Sequence, residues 1–208
     1  MKKNKLIGII NYGLGNLGSI QNMIKKVNGE SIILNEPSEL HKVDKLILPG
    51  VGAFDRGMRL LNEKEWVEPL NTFVLKERKM VLGICLGMQL MTRGSEEGVL
   101  DGLSWVKADT KRFRLEEPNL KVPHMGWNIS YPEKKTKVLS DPEKEKRYYF
   151  VHSYYVEMDN PEDALFTSNY GDKFVSGYEV DNILGMQFHP EKSHKFGMEI
   201  MRNFINSY

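Results

Sequence analysis

The chain has 208 residues, of which 40% are hydrophobic and 27% are charged, as in an ordinary globular protein and unlike a disordered one. Its 29 Lys and Arg residues nearly balance its 28 Asp and Glu residues, so no basic surplus indicates generic nucleic-acid binding. The single cysteine, Cys85, cannot form an intrachain disulfide, which argues against a disulfide-stabilised secreted protein.

The first apolar segment is too short for a signal sequence or a membrane span. Residues 1–5 are basic enough to resemble the start of a signal sequence, but the apolar run behind them covers only Leu6–Ile10. A signal sequence needs an apolar run of about 7–15 residues, and a membrane helix needs about 20. We therefore expect a cytoplasmic protein that does not interact with membranes.

Strand-like and helix-like segments alternate in the first half of the chain. The β-branched run Leu6–Ile10 is typical of a strand buried on both faces, and Leu17, Ile20, Ile24 and Val27 then recur at helical spacing. Further strands are predicted at 32–34, Lys45–Leu48 and 79–84, and further helices at 66–76 and from residue 87. This order predicts a doubly wound α/β fold with a mainly parallel sheet.

The second half has a different pattern, with short strands joined by turns. The predicted strands are 105–114, 127–130, 147–151, 154–157, 163–168, 173–179 and 183–188. They favour antiparallel additions to the parallel sheet. Phe196, Ile200 and Phe204 predict a C-terminal helix, and the polar stretch 134–146 is expected to be a loop or short helix. No long linker is present, so we expect residues 1–208 to form one domain.

A glycine-rich motif follows the first predicted strand. Gly13, Gly15 and Gly18 fit the pattern G-x-G-x-x-G, and Glu36 follows about twenty residues later. In dinucleotide-binding folds such glycines approach the pyrophosphate, and the acid binds a ribose hydroxyl. A tight strand-to-helix turn that needs glycine explains the same residues. Dinucleotide binding is therefore an alternative function of a different class.

Cys85 lies in the sequence Gly-Ile-Cys-Leu-Gly, between a predicted strand and a predicted helix. Glycines that flank a nucleophile at this junction allow the sharp turn of a nucleophile elbow, here with Cys in place of Ser. The N-terminus of the following helix is expected to direct amides at a developing oxyanion. A lone cysteine is otherwise usually a small buried hydrophobic residue, but the flanking glycines favour the nucleophile.

His189 is the histidine best placed to act as the base for this thiol. It ends an apolar strand and precedes Pro190, which keeps the chain extended. In an extended segment residues i and i+2 point to the same side, so Glu191 is expected to orient the imidazole. The three residues then form a Cys–His–Glu triad of nucleophile, base and orienting group.

The loop at residues 48–54, Leu-Pro-Gly-Val-Gly-Ala-Phe, follows a predicted strand and emerges at the same sheet edge as Cys85. Glycines on both sides of one residue let a peptide flip and present its N–H, so we expect a second oxyanion donor here. One cysteine and scattered histidines without ligand spacing predict no metal site.

Together these segments resemble class I glutamine amidotransferases and, within that family, the glutaminase subunits of imidazole glycerol phosphate synthases. The matching motifs follow the family order over nearly the whole chain: residues 12–17, 48–54, 83–90, 95–98, 122–128, 150–154 and 187–193. The Cys elbow and the His-Pro-Glu motif are typical of the whole family. Residues 122–128 and 150–154 are much more specific for this subunit type.

The resemblance implies that the chain hydrolyses L-glutamine without a cofactor or metal. Cys85 would release ammonia and form a thioester that water hydrolyses to glutamate, with His189 moving protons and Glu191 behind it. The resemblance further implies an oxyanion hole made by the Val51–Gly52 peptide and the Leu86 amide. The residues implied to bind glutamine are Gly50, Gln89, Glu97, His152 and Ser153.

The resemblance also implies a heterodimer with a (β/α)8 cyclase subunit that uses the ammonia. The partner would convert a phosphoribulosyl-aminoimidazole intermediate into imidazole glycerol phosphate and an aminoimidazole carboxamide ribotide, in histidine biosynthesis. Asn16, Trp127 and Lys192 match loops that face the partner in this family. For Trp127 a core aromatic position is the alternative, although we favour the interface.

Two stretches depart from the family pattern. Asn11 stands where Asp usually precedes Tyr-Gly, and residues 102–106 replace a Gly-Leu-Gly-Leu-Ile run. Both resemble a paralogous branch whose partner is a sugar amidotransferase of surface-polysaccharide biosynthesis. The same glutaminase serving that partner is therefore the alternative to the histidine pathway.

Overall fold

The computed structural model describes residues 5–208 and contains a ten-stranded mixed sheet beside a separate two-stranded sheet. The strands are β1 (Leu6–Ile10), β2 (Glu30–Leu34), β3 (Lys45–Leu48), β4 (Val81–Ile84), β5 (Ala108–Arg112), β6 (His124–Ile129), β7 (Tyr131–Pro132), β8 (Arg147–His152), β9 (Tyr154–Met158), β10 (Ala164–Tyr170), β11 (Asp172–Val180) and β12 (Ile183–Met186). Residues 1–4, part of the segment considered above as a signal sequence, lie outside the described residues.

The large sheet has a parallel part and an antiparallel part. Its parallel strands lie in the order β2-β1-β3-β4-β12. Beyond β12 the neighbours β11, β10 and β7 are antiparallel, and β9 pairs with both β11 and β5. This topology confirms the predicted α/β fold with antiparallel additions in the second half.

Helices cover both faces of the parallel strands. They are α1 (Leu17–Lys26), α2 (Phe54–Glu63), α3 (Val67–Asn71), α4 (Leu86–Leu90) and α5 (His194–Ser207), with a π-helical turn at Thr72–Lys76 and 3-10 turns at Pro37–Lys42, Pro161–Asp163 and Pro190–Lys192. Alternate strand residues face opposite helix layers: Ile47 packs with α1 and α5, whereas Leu46 and Leu48 pack with α2 and α3. Burial on both faces explains the continuous apolar runs in the sequence.

Several elements differ from the prediction. Helix α2 was not predicted, although Phe54, Met58 and Leu61 recur at helical spacing and are all buried. The predicted strand 127–130 begins earlier, at His124, where the small and polar residues of β6 gave no strand pattern. The helix predicted at 66–76 divides into α3 and the π-helical turn. No helix in the described part of the chain is long and apolar enough to cross a membrane.

The carboxyl ends of the parallel strands meet the two-stranded sheet at one edge of the molecule. The loops after β1, β3, β4 and β12 all emerge at this edge, as expected for parallel strands. The second sheet, formed by β6 and β8, is held there by hydrogen bonds from the His189 amide to the Tyr149 carbonyl and from the Tyr149 amide to Ser193 Oγ. Segments from both halves of the chain therefore converge at this edge.

Candidate active site

Cys85 occupies a strained turn between β4 and α4. Its backbone has φ 53° and ψ −110°, a combination that residues with a side chain rarely adopt. A Cβ at Gly87 would lie 1.8 Å from the Leu48 carbonyl oxygen, and a Cβ at Gly83 would lie 2.8 Å from the Gly87 carbonyl carbon. Glycine at 83 and 87 leaves room for this sharp turn, which places the thiol at the carboxyl end of β4.

His189 reaches the same edge from the end of β12, which pairs with β4 in parallel. Its Nδ1 lies 2.7 Å from Oε1 of Glu191, and both side chains are only 2% exposed. The contact forms across the Pro190–Lys192 turn. A tight turn, rather than the expected extended segment, therefore brings the imidazole and the carboxylate together.

The environment of His189 favours its charged form. Burial alone lowers the pKa of this imidazole, but the neighbouring Cys85 thiol and the Glu191 carboxylate outweigh burial and raise the pKa to about 10. Within residues 5–208 no group completes a hydrogen bond with Nε2 of His189. The thiol, imidazole and carboxylate are thus arranged as a nucleophile, a proton donor and an orienting group.

A cleft of about 390 Å³ opens beside the thiol. It is lined by Val51, Gly52, Ala53, Cys85, Leu86, Gln89, Glu97, Pro123, Val151, His152, Ser153 and Tyr154. Cys85 therefore shares one cleft with the predicted oxyanion residues and with most of the residues expected to bind glutamine. Gly50 lies behind this wall, where a Cβ would be 2.6 Å from the Tyr12 hydroxyl oxygen.

The glycine-rich loop after β3 forms one wall of the cleft. Gly52 has φ +104° with open space around the position of a Cβ, so its backbone angle, rather than crowding, requires glycine. Among the described residues, neither Val51 nor Gly52 donates its amide hydrogen to a protein acceptor. The Phe54 amide donates to the Glu97 carboxylate at 2.8 Å, which fixes the end of the loop. Free amides beside a nucleophile are the donors that a developing oxyanion needs.

Gln89, on α4, presents a defined face to the cleft. Its Nε2 donates to the Tyr154 carbonyl at 3.1 Å and to Oε1 of Gln187 at 3.0 Å. Both amide hydrogens are therefore used inside the protein, and Oε1 is left to accept a hydrogen bond from a ligand. Gln187 in turn places its Nε2 3.8 Å from Sγ of Cys85.

The ring of His152 is occupied within the protein. Its Nδ1 lies 2.7 Å from the Tyr154 carbonyl oxygen, and its Nε2 lies 3.0 Å from Nδ1 of His124. The ring expected to bind glutamine therefore has no free nitrogen for a ligand. Sequence reasoning did not single out His124 or Gln187, although both stand inside the motifs at 122–128 and 187–193.

An aromatic surface lies next to the cleft on the two-stranded sheet. Trp127 is 49% exposed, stacks on His194 with ring centroids 5.5 Å apart, and meets the Tyr149 ring edge-on. Nζ of Lys192 lies 5.6 Å from the centre of the Tyr149 ring. Trp127 is thus not a core residue. Asn16 is exposed and caps α1 through a hydrogen bond from the Ser19 amide to its Oδ1, and α1 packs against the Pro190–Lys192 turn.

The glycine-rich turn after β1 serves internal packing. Gly13 and Gly15 both have positive φ, and a Cβ at Gly15 would lie 2.9 Å from Cβ of Pro49. The turn therefore supports the loop after β3. Glu36 begins the Pro37–Lys42 turn and accepts a hydrogen bond from Ser38. Within residues 5–208 no group of three or more His, Cys, Asp or Glu side chains is arranged to hold a metal ion.

Comparisons with known proteins show the family of the chain. The family model described as glutamine amidotransferase class-I matches residues 9–207. Imidazole glycerol phosphate synthase subunit HisH 2 of Methanococcus maripaludis is 50% identical over 96% of this chain and 98% of its own length. The protein of the same name from Pseudomonas aeruginosa is 45% identical over the same shares.

Solved structures show the same fold at low sequence identity. PurLQS from Thermotoga maritima matches with a TM-score of 0.73 and 16% identity over 99% of both chains. The glutaminase domain of Trypanosoma brucei CTPS, solved with bound acivicin, matches with a TM-score of 0.63 and 15% identity, over 96% of this chain and 93% of that one. These likenesses support the fold assignment.

Proposed function

The chain belongs to the class I glutamine amidotransferase family, and we propose that it is the glutaminase subunit of an imidazole glycerol phosphate synthase. The observation that carries this proposal is the meeting of Cys85, on its strained elbow, with the buried His189–Glu191 pair beside a cleft lined by free amides. The names and full-length identity of the relatives support the assignment to histidine biosynthesis. They do not favour the sugar amidotransferase or the dinucleotide alternative.

Cys85 is the nucleophile in this proposal. Its thiol proton passes to His189, the sulfur attacks the side-chain carboxamide carbon of L-glutamine, and the carbonyl double bond opens to an oxyanion. The N–H of the Val51–Gly52 peptide and the Leu86 amide are the donors for that charge, since hydrogen-bond donors in a cleft stabilise a developing oxyanion strongly. The glycine at 52 lets the peptide rotate its N–H toward the oxygen.

His189 moves the protons. With a pKa raised to about 10, its imidazolium is protonated at neutral pH and can donate to the leaving nitrogen. The C–N bond breaks, ammonia leaves, and a Cys85 thioester remains. The neutral imidazole then takes a proton from water, whose oxygen attacks the thioester carbon. The C–S bond breaks, glutamate leaves, and the proton returns from His189 to the sulfur. Glu191 holds the ring and stabilises its charge through the 2.7 Å contact.

The cleft side chains select the substrate. Gln89 offers Oε1 as an acceptor for an N–H of bound glutamine, because its own Nε2 is already used. Glu97 lies at the opposite loop, where its carboxylate holds the Phe54 amide. Ser153 and His152 contribute to the third wall, and Gly50 shapes the loop from behind.

The ammonia passes to a (β/α)8 cyclase subunit in a heterodimer. The surface beside the cleft that carries Trp127, Lys192 and Asn16 suits such a partner, because it combines an exposed indole with a nearby cation and an exposed amide. We also infer a cytoplasmic location, since a thiol nucleophile must stay reduced and the cytosol keeps thiols reduced.

Reconstitution with the cyclase subunit tests the function. With amide-15N glutamine, the complex should release glutamate and place 15N in imidazole glycerol phosphate. The isolated chain should be slower by roughly 5–150-fold, the usual range of coupling between sites, since the loop at 50–52 can hold its peptide in the wrong orientation. No glutamate from either sample would refute the glutaminase. Full activity of the isolated chain would refute the gating. Glutamate release without 15N in imidazole glycerol phosphate, with 15N transfer in a parallel reconstitution with a sugar amidotransferase, would refute the cyclase partner.

A further inference from the structure

A buried chain of hydrogen bonds links β6 to the wall of the cleft. Nδ2 of Asn128 lies 3.3 Å from Nε2 of His124, and Nδ1 of His124 lies 3.0 Å from Nε2 of His152. Nδ1 of His152 lies 2.7 Å from the carbonyl oxygen of Tyr154. Within residues 5–208 no hydrogen bond or ring contact joins His124 to Cys85, His189 or Glu191, so the mechanism proposed above gives it no role.

The Tyr154 carbonyl, the last acceptor in this series of hydrogen bonds, fixes the direction of each of them. A carbonyl oxygen only accepts, so Nδ1 of His152 carries the hydrogen and its Nε2 is an acceptor. Nδ1 of His124 must then carry a hydrogen, and Nε2 of His124 accepts from the Asn128 amide. Each ring is held in a single tautomer by its neighbour.

Burial keeps both rings neutral and in place. His124 is 3% exposed and His152 is 6% exposed, and desolvation lowers their pKa values to about 4 and about 3. The His124 ring stacks between Phe150 and Tyr170, with centroid distances of 4.8 and 4.1 Å. A well-packed neutral ring is a fixed donor rather than a titrating group.

The Tyr154 carbonyl, the last acceptor in this series of hydrogen bonds, also orients Gln89. The Tyr154 oxygen accepts from Nδ1 of His152 and from Nε2 of Gln89. If this oxygen moved, the Gln89 amide would lose one of the two acceptors that determine which of its atoms faces the cleft. Gln89 lines the cleft, so the effect would reach a bound ligand.

We propose that His124 is a positioning residue for the glutamine cleft, because its hydrogen bond to His152 fixes the Tyr154 carbonyl and thereby the orientation of Gln89. This inference rests on the proposed function and deepens it. It predicts an effect on glutamine binding from a side chain that does not touch glutamine. Since Gln89 binds substrate and transition state alike, the effect should fall on KM rather than kcat.

Two substitutions of His124 distinguish the role of its Nδ1–H donor from the role of its aromatic ring. His124→Phe keeps the aromatic stack but leaves Nε2 of His152 without a donor, and it should raise KM for glutamine about tenfold in the complex with the cyclase subunit, as expected for one broken buried hydrogen bond. The value of kcat should stay within about twofold. His124→Asn places Nδ2 where Nδ1 stood and should restore most of the affinity. The matched control is His41→Phe, on the exposed Pro37–Lys42 turn.

The proposal is overturned if folded His124→Phe has the wild-type KM, if kcat alone falls, or if His124→Asn is as impaired as His124→Phe. A spectroscopic measurement needs neither catalysis nor a variant. Imidazole 15N shifts of the wild type should show the Nδ1–H tautomer for both His124 and His152, and the opposite tautomer at either ring overturns the proposal. Because this readout does not depend on turnover, loss of the glutaminase assignment and loss of this inference are distinguishable.

Discussion

The two sides of the cleft are held in place by different physical means. The elbow side, residues 48–54 and 83–87, is fixed by backbone packing, since Gly83 and Gly87 leave no room for a Cβ. The histidine side, residues 124–154 and 187–193, is fixed by side-chain hydrogen bonds and buried polar groups such as His189 and His152. The first side depends on the shape of the chain, and the second depends on partners that are distant in sequence.

This difference determines how each side responds to substitution. On the elbow side an added methyl group should act through steric overlap, which is large and local. On the histidine side the removal of one partner should act through an unsatisfied or uncompensated polar group, whose cost depends on burial. Substitutions that add a methyl group on the elbow side, or remove one polar partner on the histidine side, test this difference.

The largest expected effect is on catalysis by Cys85→Ala. Removal of the sulfur should lower kcat for glutamine hydrolysis in the complex by at least about 10⁴-fold, as for other enzymes that lose their nucleophile. The fold should survive, because alanine retains the Cβ at this position. Glutamate release and a circular dichroism melt on the same sample measure both. Retained turnover would remove the covalent mechanism, and use of added ammonia by the complex should be preserved.

On the elbow side, Gly87→Ala should be strongly destabilising. The new Cβ would lie 1.8 Å from the Leu48 carbonyl oxygen, and backbone must move to relieve the overlap. We expect a loss of about 3 kcal/mol or more in the free energy of unfolding, measured by urea titration. The matched control is Gly18→Ala, since no atom lies within 4 Å of a Cβ there and alanine favours the helix. Equal stability of the two variants would contradict packing as the reason for Gly87.

The elbow side could be predicted from the sequence because its signals are local. The buried strand, two glycines and the intervening Cys85 stand within a few residues, and the glycines are required by the same close packing that the structure shows. The same locality would have revealed α2, whose spacing of Phe54, Met58 and Leu61 is regular. Backbone geometry and helical periodicity are properties of short segments.

The histidine side was less predictable because its contacts join distant segments. His124 and His152 are 28 residues apart in the chain, and Gln89 and Gln187 are 98 apart. No spacing rule indicates which buried polar groups will find each other. Lys146 illustrates the same limit, since it belongs to the stretch 134–146 that was expected to be a solvated loop or short helix and is nevertheless buried.

Lys146 therefore offers a test of the histidine side. Its Nζ lies 3.1 Å from Oε2 of Glu199, and the two side chains are 4% and 16% exposed. Lys146→Met leaves the carboxylate buried without its cation and should lower the free energy of unfolding by about 3 kcal/mol.

The control is Arg78→Met, which removes an exposed ion pair with Asp181 and should cost less than about 1 kcal/mol. The double variant Lys146→Met, Glu199→Leu should recover part of the loss, because no uncompensated charge remains. Urea unfolding of all four proteins measures these differences. A Lys146→Met variant as stable as Arg78→Met would show that burial does not set the cost here.

The charge on His189 should make stability depend on pH. The unfolded chain releases the proton of this imidazole near pH 6.5, whereas the folded protein holds it to about pH 10. The stabilisation of the folded state by the raised pKa of His189 is complete below pH 6.5 and is lost as the pH rises to about 10. The free energy of unfolding should therefore fall across this window. Glu191→Gln removes one of the groups that hold the proton and should cost roughly 1–2 kcal/mol near neutral pH.

Urea titrations between pH 6 and 10 measure this effect. His189→Asn has no imidazole and should lose the part of the slope that His189 supplies. If the free energy of unfolding of His189→Asn has the same slope against pH as the wild type, other groups cause the pH dependence. Unlike Gly87→Ala, these variants should affect stability differently at each pH, which distinguishes electrostatic support from steric support.

The smallest expected effect concerns the strain at Cys85 itself. With φ 53° and ψ −110°, any residue with a Cβ is strained, so Cys85→Gly should be more stable than Cys85→Ala by about 1 kcal/mol. At Arg202, on the exposed face of α5, the order should be reversed. Arg202→Ala should be more stable than Arg202→Gly, because glycine disfavours a helix by about 1 kcal/mol. Thermal melts of the four variants measure both differences. An alanine variant more stable than the glycine variant at both positions would mean that the elbow is not strained, and the sharp turn would then be a consequence of the packing at Gly83 and Gly87 alone.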